Sequence, residues 1–128
     1  MKTISFVGNG NMALSIAKGL KNTYKIEVVG RNLEKINEFE DALGVPINKA
    51  LMDGYNMDDK TIILCVKPAN VEEISTRLLG KAKVIYSVLA GTSIAKLKTN
   101  LNPHAVVRTM PNLAASVNQS MTTLTGDT

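Results

Sequence analysis

The chain has 128 residues, 45% of them hydrophobic and 20% charged, which suits one globular domain and excludes the disordered and collagen-like classes. No apolar run reaches the ~18 residues of a membrane span, and a single cysteine excludes an internal disulfide and fits a reducing, cytoplasmic setting. The net charge of +4 is uneven: residues 1–73 hold 9 bases and 10 acids, residues 74–128 hold 6 bases and 1 acid.

That basic second half fits an ordinary solvated face, an acidic partner or a phosphate ligand. Its bases are dispersed, with no aromatics interleaved, so nucleic acid is not an expected partner. The short apolar stretch before Gly8 does not read as a signal peptide.

In chain order, two periodicities alternate. Residues 3–7 are short, apolar and β-rich, and stop at Gly8. From Asn11 the pattern is helical, with Met12, Ile16 and Leu20 at i, i+4 and i+8 and a small-residue stripe of Ala13 and Ala17 beside them. Residues 25–29 form a strand closed by Gly30. Asn32 is the expected N-cap of a helix that turns Leu33, Ile36, Phe39 and Leu43 inward and Glu34, Lys35, Glu38 and Glu40 outward, ending near Gly44. Residues 45–60 read as a short strand and a link. A buried strand over 61–66 contains Cys65, read as an inert packing thiol, and Lys67-Pro68 ends it because proline cannot extend the ladder. A helix over 70–79 with Gly80 as its C-cap, a strand over 83–89, a helix over 93–101 and a strand over 105–109 follow. The tail holds Pro111 and a last strand over 121–124.

Buried strands separated by helical crossovers predict an α/β fold: a doubly wound, mostly parallel sheet of Rossmann type with helices on both faces. Such sheets bind ligands outside the carboxyl ends of their strands. The residues after each strand are therefore where chemistry is expected.

After the first strand stands Gly8-Asn9-Gly10-Asn11-Met12-Ala13, a G-x-G-x-x-A run. Gly8 permits the tight turn, Gly10 lets the backbone approach a pyrophosphate, and Ala13 lets the helix lie close to the strand. The helix N-terminus offers N–H groups and a partial positive charge. After the second strand comes Gly30-Arg31-Asn32 with no acid where an NAD site places one for the ribose 2′-hydroxyl. Arg31 suits a 2′-phosphate, with Asn32 donating to it, so NADPH is the expected cofactor and NADH remains possible. Val66, Lys67 and Pro68 follow the next long strand, a turn that also occurs without any ligand. Ala90-Gly91 follows the fifth and allows a flat ring to approach the backbone. Arg108-Thr109-Met110-Pro111-Asn112 closes the sixth. No Cys/His cluster has metal-ligand spacing, so no metal is expected, and His104 and the six methionines read as structural.

This order of motifs resembles the N-terminal, cofactor-binding half of the pyrroline-5-carboxylate reductases, over essentially the whole chain. The glycine run is shared by many dehydrogenases, whereas Val66-Lys67-Pro68, Ala90-Gly91-Thr92 and Arg108-Thr109-Met110-Pro111-Asn112 in sequence are far more specific. The resemblance implies NADPH-dependent reduction of 1-pyrroline-5-carboxylate to L-proline, the last step of proline biosynthesis. It implies that Gly8, Asn9, Gly10, Asn11 and Met12 hold the pyrophosphate, and that Arg31 and Asn32 lie by the adenosine ribose. Val66, Lys67, Pro68, Ala90 and Gly91 would then flank the nicotinamide ribose, with Met110, Pro111 and Asn112 supporting the crevice floor.

Members of that family continue into a helical domain that dimerises and completes the substrate pocket. Residues 1–128 are accordingly expected to be one NAD(P)-binding domain, truncated at its C-terminal end. No catalytic proton donor is assignable in it, the chain by itself is expected to be inactive, and homo-oligomerisation is expected through the absent part. Two other readings compete. One is a different NADP-linked oxidoreductase of related fold, of the deazaflavin-dependent reductase or 3-hydroxyacid or prephenate dehydrogenase type. The other is a non-catalytic nucleotide-binding module.

Overall fold

A computed structural model describes residues 2–8, 10–87 and 94–108. Six strands form one sheet: β1 (Thr3–Val7), β2 (Lys25–Gly30), β3 (Asn48–Leu51), β4 (Thr61–Leu64), β5 (Val84–Ser87) and β6 (Val106–Arg108). Their spatial order is β3-β2-β1-β4-β5-β6, and every pairing is parallel. The chain builds outward from β1 in one direction, then returns to add β4 on the other side. The switch point lies between β1 and β4, where a crevice opens at the carboxyl ends.

Period-two alternation sends successive strand residues to opposite faces. On one face Ile4, Phe6, Ile26, Val28, Ile63, Val84 and Tyr86 meet helices α1 (Asn11–Leu20) and α2 (Leu33–Leu43). On the other, Val7, Val29, Ile62, Leu64 and Ile85 meet α3 (Val71–Ser75) and α4 (Ile94–Leu101). The sheet is buried on both faces, as the unbroken apolar strands predict. Among the described residues, no helix is long and apolar enough to cross a membrane.

Several details depart from the sequence pattern. On α1 the buried stripe is Ala13, Ala17 and Leu20, while Met12 is 54% exposed and Ile16 only partly buried. The helix lies so close to the sheet that small residues must face it. Leu33, expected inward, is half-exposed because the first residue of α2 precedes the turn that reaches the sheet. Glu40, expected outward, instead accepts from the Ile47 backbone N–H at 3.0 Å and pairs with Lys49 at 2.9 Å, pinning the α2–β3 turn. The hydrogen bond from Lys49 holds its carboxyl below the usual range. The strand expected over 61–66 ends at Leu64, which leaves Cys65 and Val66 on the crevice wall.

The helix expected over 70–79 is a 3₁₀ turn, Pro68–Asn70, followed by α3, which stops at Ser75. Ser75 and Thr76 hydroxyls donate to the carbonyls of Glu72 and Glu73, both at 2.6 Å, and tighten its end. The chain then leaves the helix to pair with the β3–β4 link: Leu79 N–H donates to Tyr55 O and Met57 N–H to Leu79 O, both at 2.8 Å. Gly80 adopts φ +79°, and a Cβ there would overlap Asn56 Oδ1 and stand 2.6 Å from Asp58 Oδ1. β5 and β6 are described as Val84–Ser87 and Val106–Arg108, inside the expected 83–89 and 105–109. The strand expected over 121–124 lies outside the described residues.

Candidate functional site

The crevice at the switch point has a volume of about 310 Å³. Its base is the glycine turn. Gly8 has φ +106°, a region closed to side chains, and a Cβ there would stand 2.5 Å from the Cys65 carbonyl oxygen. Gly8 N–H donates to Val29 O at 3.0 Å and Cys65 N–H to Val7 O at 2.9 Å, so the turn is fastened to both neighbouring strands. Gly10 is the N-cap of α1. A Cβ on it would meet no described atom within 4 Å beyond its chain neighbours, and Gly10 lines the crevice. Among the described residues no side chain caps the first turn of α1, and no acid stands in it. The helix presents its electropositive end beside the crevice, as an anionic ligand requires.

One wall follows β2. Gly30, Arg31, Asn32 and Lys35 line it. Asn32 Oδ1 accepts from the N–H of Glu34 at 2.8 Å and of Lys35 at 3.4 Å, capping α2. The cap commits the oxygen to the helix, so the amide N–H groups are what Asn32 can donate to a ligand. The Arg31 guanidinium pairs with Glu73, Nη1 to Oε1 at 2.8 Å and Nη2 to Oε2 at 3.3 Å. That bond from Arg31 holds the Glu73 carboxyl below the usual carboxylate range.

The facing wall follows β4 and carries Cys65, Val66, Lys67, Asn70 and Ile74, with Met52 closing the floor near β3. Burial pushes the Cys65 thiol up to about 12, so it is a neutral, unreactive wall atom at ordinary pH. The described lining holds three cations, Arg31, Lys35 and Lys67, and no carboxylate.

The acids nearest in sequence to the β2 end do not line the crevice. Glu27 lies mid-strand; it accepts from Ser5 Oγ at 2.6 Å and from the Tyr55 hydroxyl, and Lys60 stands 3.6 Å away. Glu34 is in the first turn of α2 and does not line the crevice. The β2 wall thus meets a ligand with a guanidinium.

Of the residues singled out from the sequence, Gly8, Gly10, Arg31, Asn32, Val66 and Lys67 come together in this crevice. Asn11 and Met12 open α1 beside it, exposed, and Pro68 begins the 3₁₀ turn below Lys67. Asn9, Ala90, Gly91, Met110, Pro111 and Asn112 lie outside the described residues, and Arg108 ends β6. Sequence reasoning missed Lys35, Met52, Asn70 and Ile74. Lys35 was legible in principle as a base in the first turn of α2, just past Arg31 and Asn32; the others reach the site only through the packing of separate segments. Among the described residues, no group of three His, Cys, Asp or Glu could hold a metal ion.

Comparison with known proteins follows the same outline. The family described as "NADP oxidoreductase coenzyme F420-dependent" matches residues 3–91. A pyrroline-5-carboxylate reductase of Helicobacter pylori is 31% identical over 127 residues, covering 95% of this chain and 49% of that protein. Pyrroline-5-carboxylate reductase 2 of Dictyostelium discoideum is 33% identical over 132 residues, covering 94% of this chain and 44% of that one. Among solved structures, 1-pyrroline-5-carboxylate reductase from Streptococcus pyogenes superposes with a TM-score of 0.64 at 30% identity, covering 90% of this chain and 44% of its own. The chain spans about half the length of the curated relatives it matches.

Proposed function

Since this chain belongs to the family described as NADP oxidoreductase, coenzyme F420-dependent, we propose that it is the cofactor-binding half of an NADPH-dependent pyrroline-5-carboxylate reductase. The observation that carries the reading is the crevice itself. An uncapped helix N-terminus and three cations, with no carboxylate among them, surround a glycine turn at the switch point of a parallel sheet.

The residues fit NADPH part by part. The open space at Gly10 and the start of α1, with the backbone of Asn11 and Met12, receive the pyrophosphate, and the sequence motif assigns Asn9 to the same ligand. Arg31, the amide of Asn32 and Lys35 receive the phosphorylated ribose. Val66, Lys67 and Pro68 are assigned to the nicotinamide ribose, and the family resemblance assigns Ala90, Gly91, Met110, Pro111 and Asn112, outside the described residues, to the same end. When bound, the cofactor supplies a hydride for a C=N bond. What this chain contributes is orientation: the rigid turn and the fastened strand ends fix where the dinucleotide lies.

The substrate, 1-pyrroline-5-carboxylate, and the homo-oligomer built on a dimer belong to the part of the enzyme that relatives carry beyond this span. A cytoplasmic setting suits its single, unreactive thiol. A second reading, NADP-linked reduction of a deazaflavin, is favoured by the family description over residues 3–91. The Arg108-to-Asn112 stretch outside that match favours the pyrroline substrate.

Titration of the chain with NADPH and NADH tests the cofactor half. Binding that prefers NADPH and that Arg31→Ala weakens supports it; binding of neither overturns it. Oxidation of NADPH with 1-pyrroline-5-carboxylate, assayed on protein that includes the remaining half of the reductase, tests the substrate, and activity on a deazaflavin instead selects the second reading.

A further inference from the structure

Arg31 is not presented bare to the crevice. Its paired nitrogens face the two oxygens of Glu73, the geometry with which a guanidinium also takes a phosphate. Glu73 is itself shared: Arg77 Nη2 lies 3.1 Å from its Oε1, and Arg77 Nη1 lies 2.8 Å from Asp53 Oδ1. Four alternating charges, Arg31–Glu73–Arg77–Asp53, therefore run from the crevice mouth into an adjoining hollow of about 130 Å³ that Arg31 and Arg77 both line. All four side chains are at least a third exposed, so the pairs exchange with solvent readily.

A carboxylate seated on the guanidinium that a 2′-phosphate needs is a competitor for it. The phosphate brings the larger charge, and Arg77 remains to hold the displaced carboxylate, so exchange leaves neither acid stranded. We infer that Glu73 is a specificity-determining residue. It occupies Arg31 in place of the 2′-phosphate and so limits the preference for NADPH over NADH, while Arg77 sets how easily it lets go. The inference rests on the proposed NADPH site and adds residues that lie outside the crevice lining.

The test is a set of binding titrations of the 128-residue chain with NADPH and NADH, for wild type, Arg31→Ala, Glu73→Gln, Arg77→Gln and the Glu73→Gln/Arg77→Gln pair. Glu73→Gln is expected to tighten NADPH by roughly 3- to 10-fold and to change NADH less than about twofold. Arg77→Gln is expected to weaken NADPH several-fold, because Glu73 then has Arg31 alone, and to do nothing further once Glu73 is glutamine. Thermal melts confirm that the variants fold, as exposed positions allow. An unchanged NADPH-to-NADH ratio in Glu73→Gln, or weaker NADPH binding, overturns the inference; the second result would make Glu73 a support for Arg31. If Arg31→Ala lowers NADPH affinity while Glu73→Gln is silent, the cofactor site stands and only the role of Glu73 falls. If wild type binds neither nucleotide, or Arg31→Ala leaves the preference intact, both fall.

Discussion

The carbonyl oxygen of Cys65 lies 2.5 Å from the point at which a Cβ on Gly8 would stand, which locks the turn after β1 against the end of β4. These two strands border the switch point, so one backbone approach sets both the floor of the crevice and its width. A Cβ on Gly10, two residues on, would by contrast meet no described atom within 4 Å beyond its chain neighbours. The two glycines of one motif are thus required for different reasons.

That difference is measurable. Gly8→Ala must strain a φ of +106° and push the Cys65 carbonyl away, and is expected to cost at least about 2 kcal/mol in urea unfolding. Gly10→Ala is expected to cost only about 1 kcal/mol, since alanine is a poorer N-cap than glycine but meets no clash there. Its NADPH affinity should nonetheless fall on the order of tenfold, the methyl occupying ligand space. Equal stability losses in both variants would contradict this division.

Gly80 and Gly54 separate sterics from backbone strain in the same way. Both have φ near +78°, at +79° and +77°, but a Cβ on Gly54 is unobstructed while one on Gly80 runs into Asn56 and Asp58. Alanine at 54 is expected to cost about 1 kcal/mol and alanine at 80 about 2–3 kcal/mol. Removing the Asn56 side chain in the Gly80→Ala background should return part of the difference, read from chemical melts.

Glu27 offers a control for the cofactor assignment. It is the acid within β2, yet its carboxylate is held by Ser5 and Tyr55 away from the crevice. Glu27→Ala leaves those hydroxyls short of their acceptor, for an expected loss of about 2 kcal/mol. NADPH and NADH affinities should remain within about twofold of wild type, measured below the melting transition. A selective loss of NADH binding would instead make Glu27 a ribose ligand.

Burial raises the Cys65 thiol from an ordinary value of 9.0 to about 12. A thiol whose folded pKa is raised stays neutral in the fold after the unfolded chain has begun to ionise. Its contribution is whole below pH 9 and is lost as pH climbs towards 12, at up to about 1.4 kcal/mol per pH unit. The stability difference between wild type and Cys65→Ala should be flat below pH 9 and move against wild type above it. A thiol reagent should label the native chain slowly at neutral pH and the urea-unfolded chain quickly.

Much of this protein is legible from the chain alone because its signals are local. Period two and period 3.6 mark the strands and helices, Asn32 caps α2 where a polar residue precedes the apolar repeat, and Gly44 ends it with φ +83°. The glycine turn and Arg31 without an accompanying acid likewise sit within a few residues of one another, so spacing identifies them. What lies further apart needed the fold. Arg31 and Glu73 are 42 residues apart, and they meet only because α3 crosses over the face of the sheet below the β2 end. The short α3, the pairing of residues 55–57 with 79, and the choice of Ala13 and Ala17 over Met12 for the sheet all depend on how closely separate segments pack. A sequence states what each segment prefers; the strand order β3-β2-β1-β4-β5-β6 decides which distant side chains share a site, and with it which charge answers Arg31.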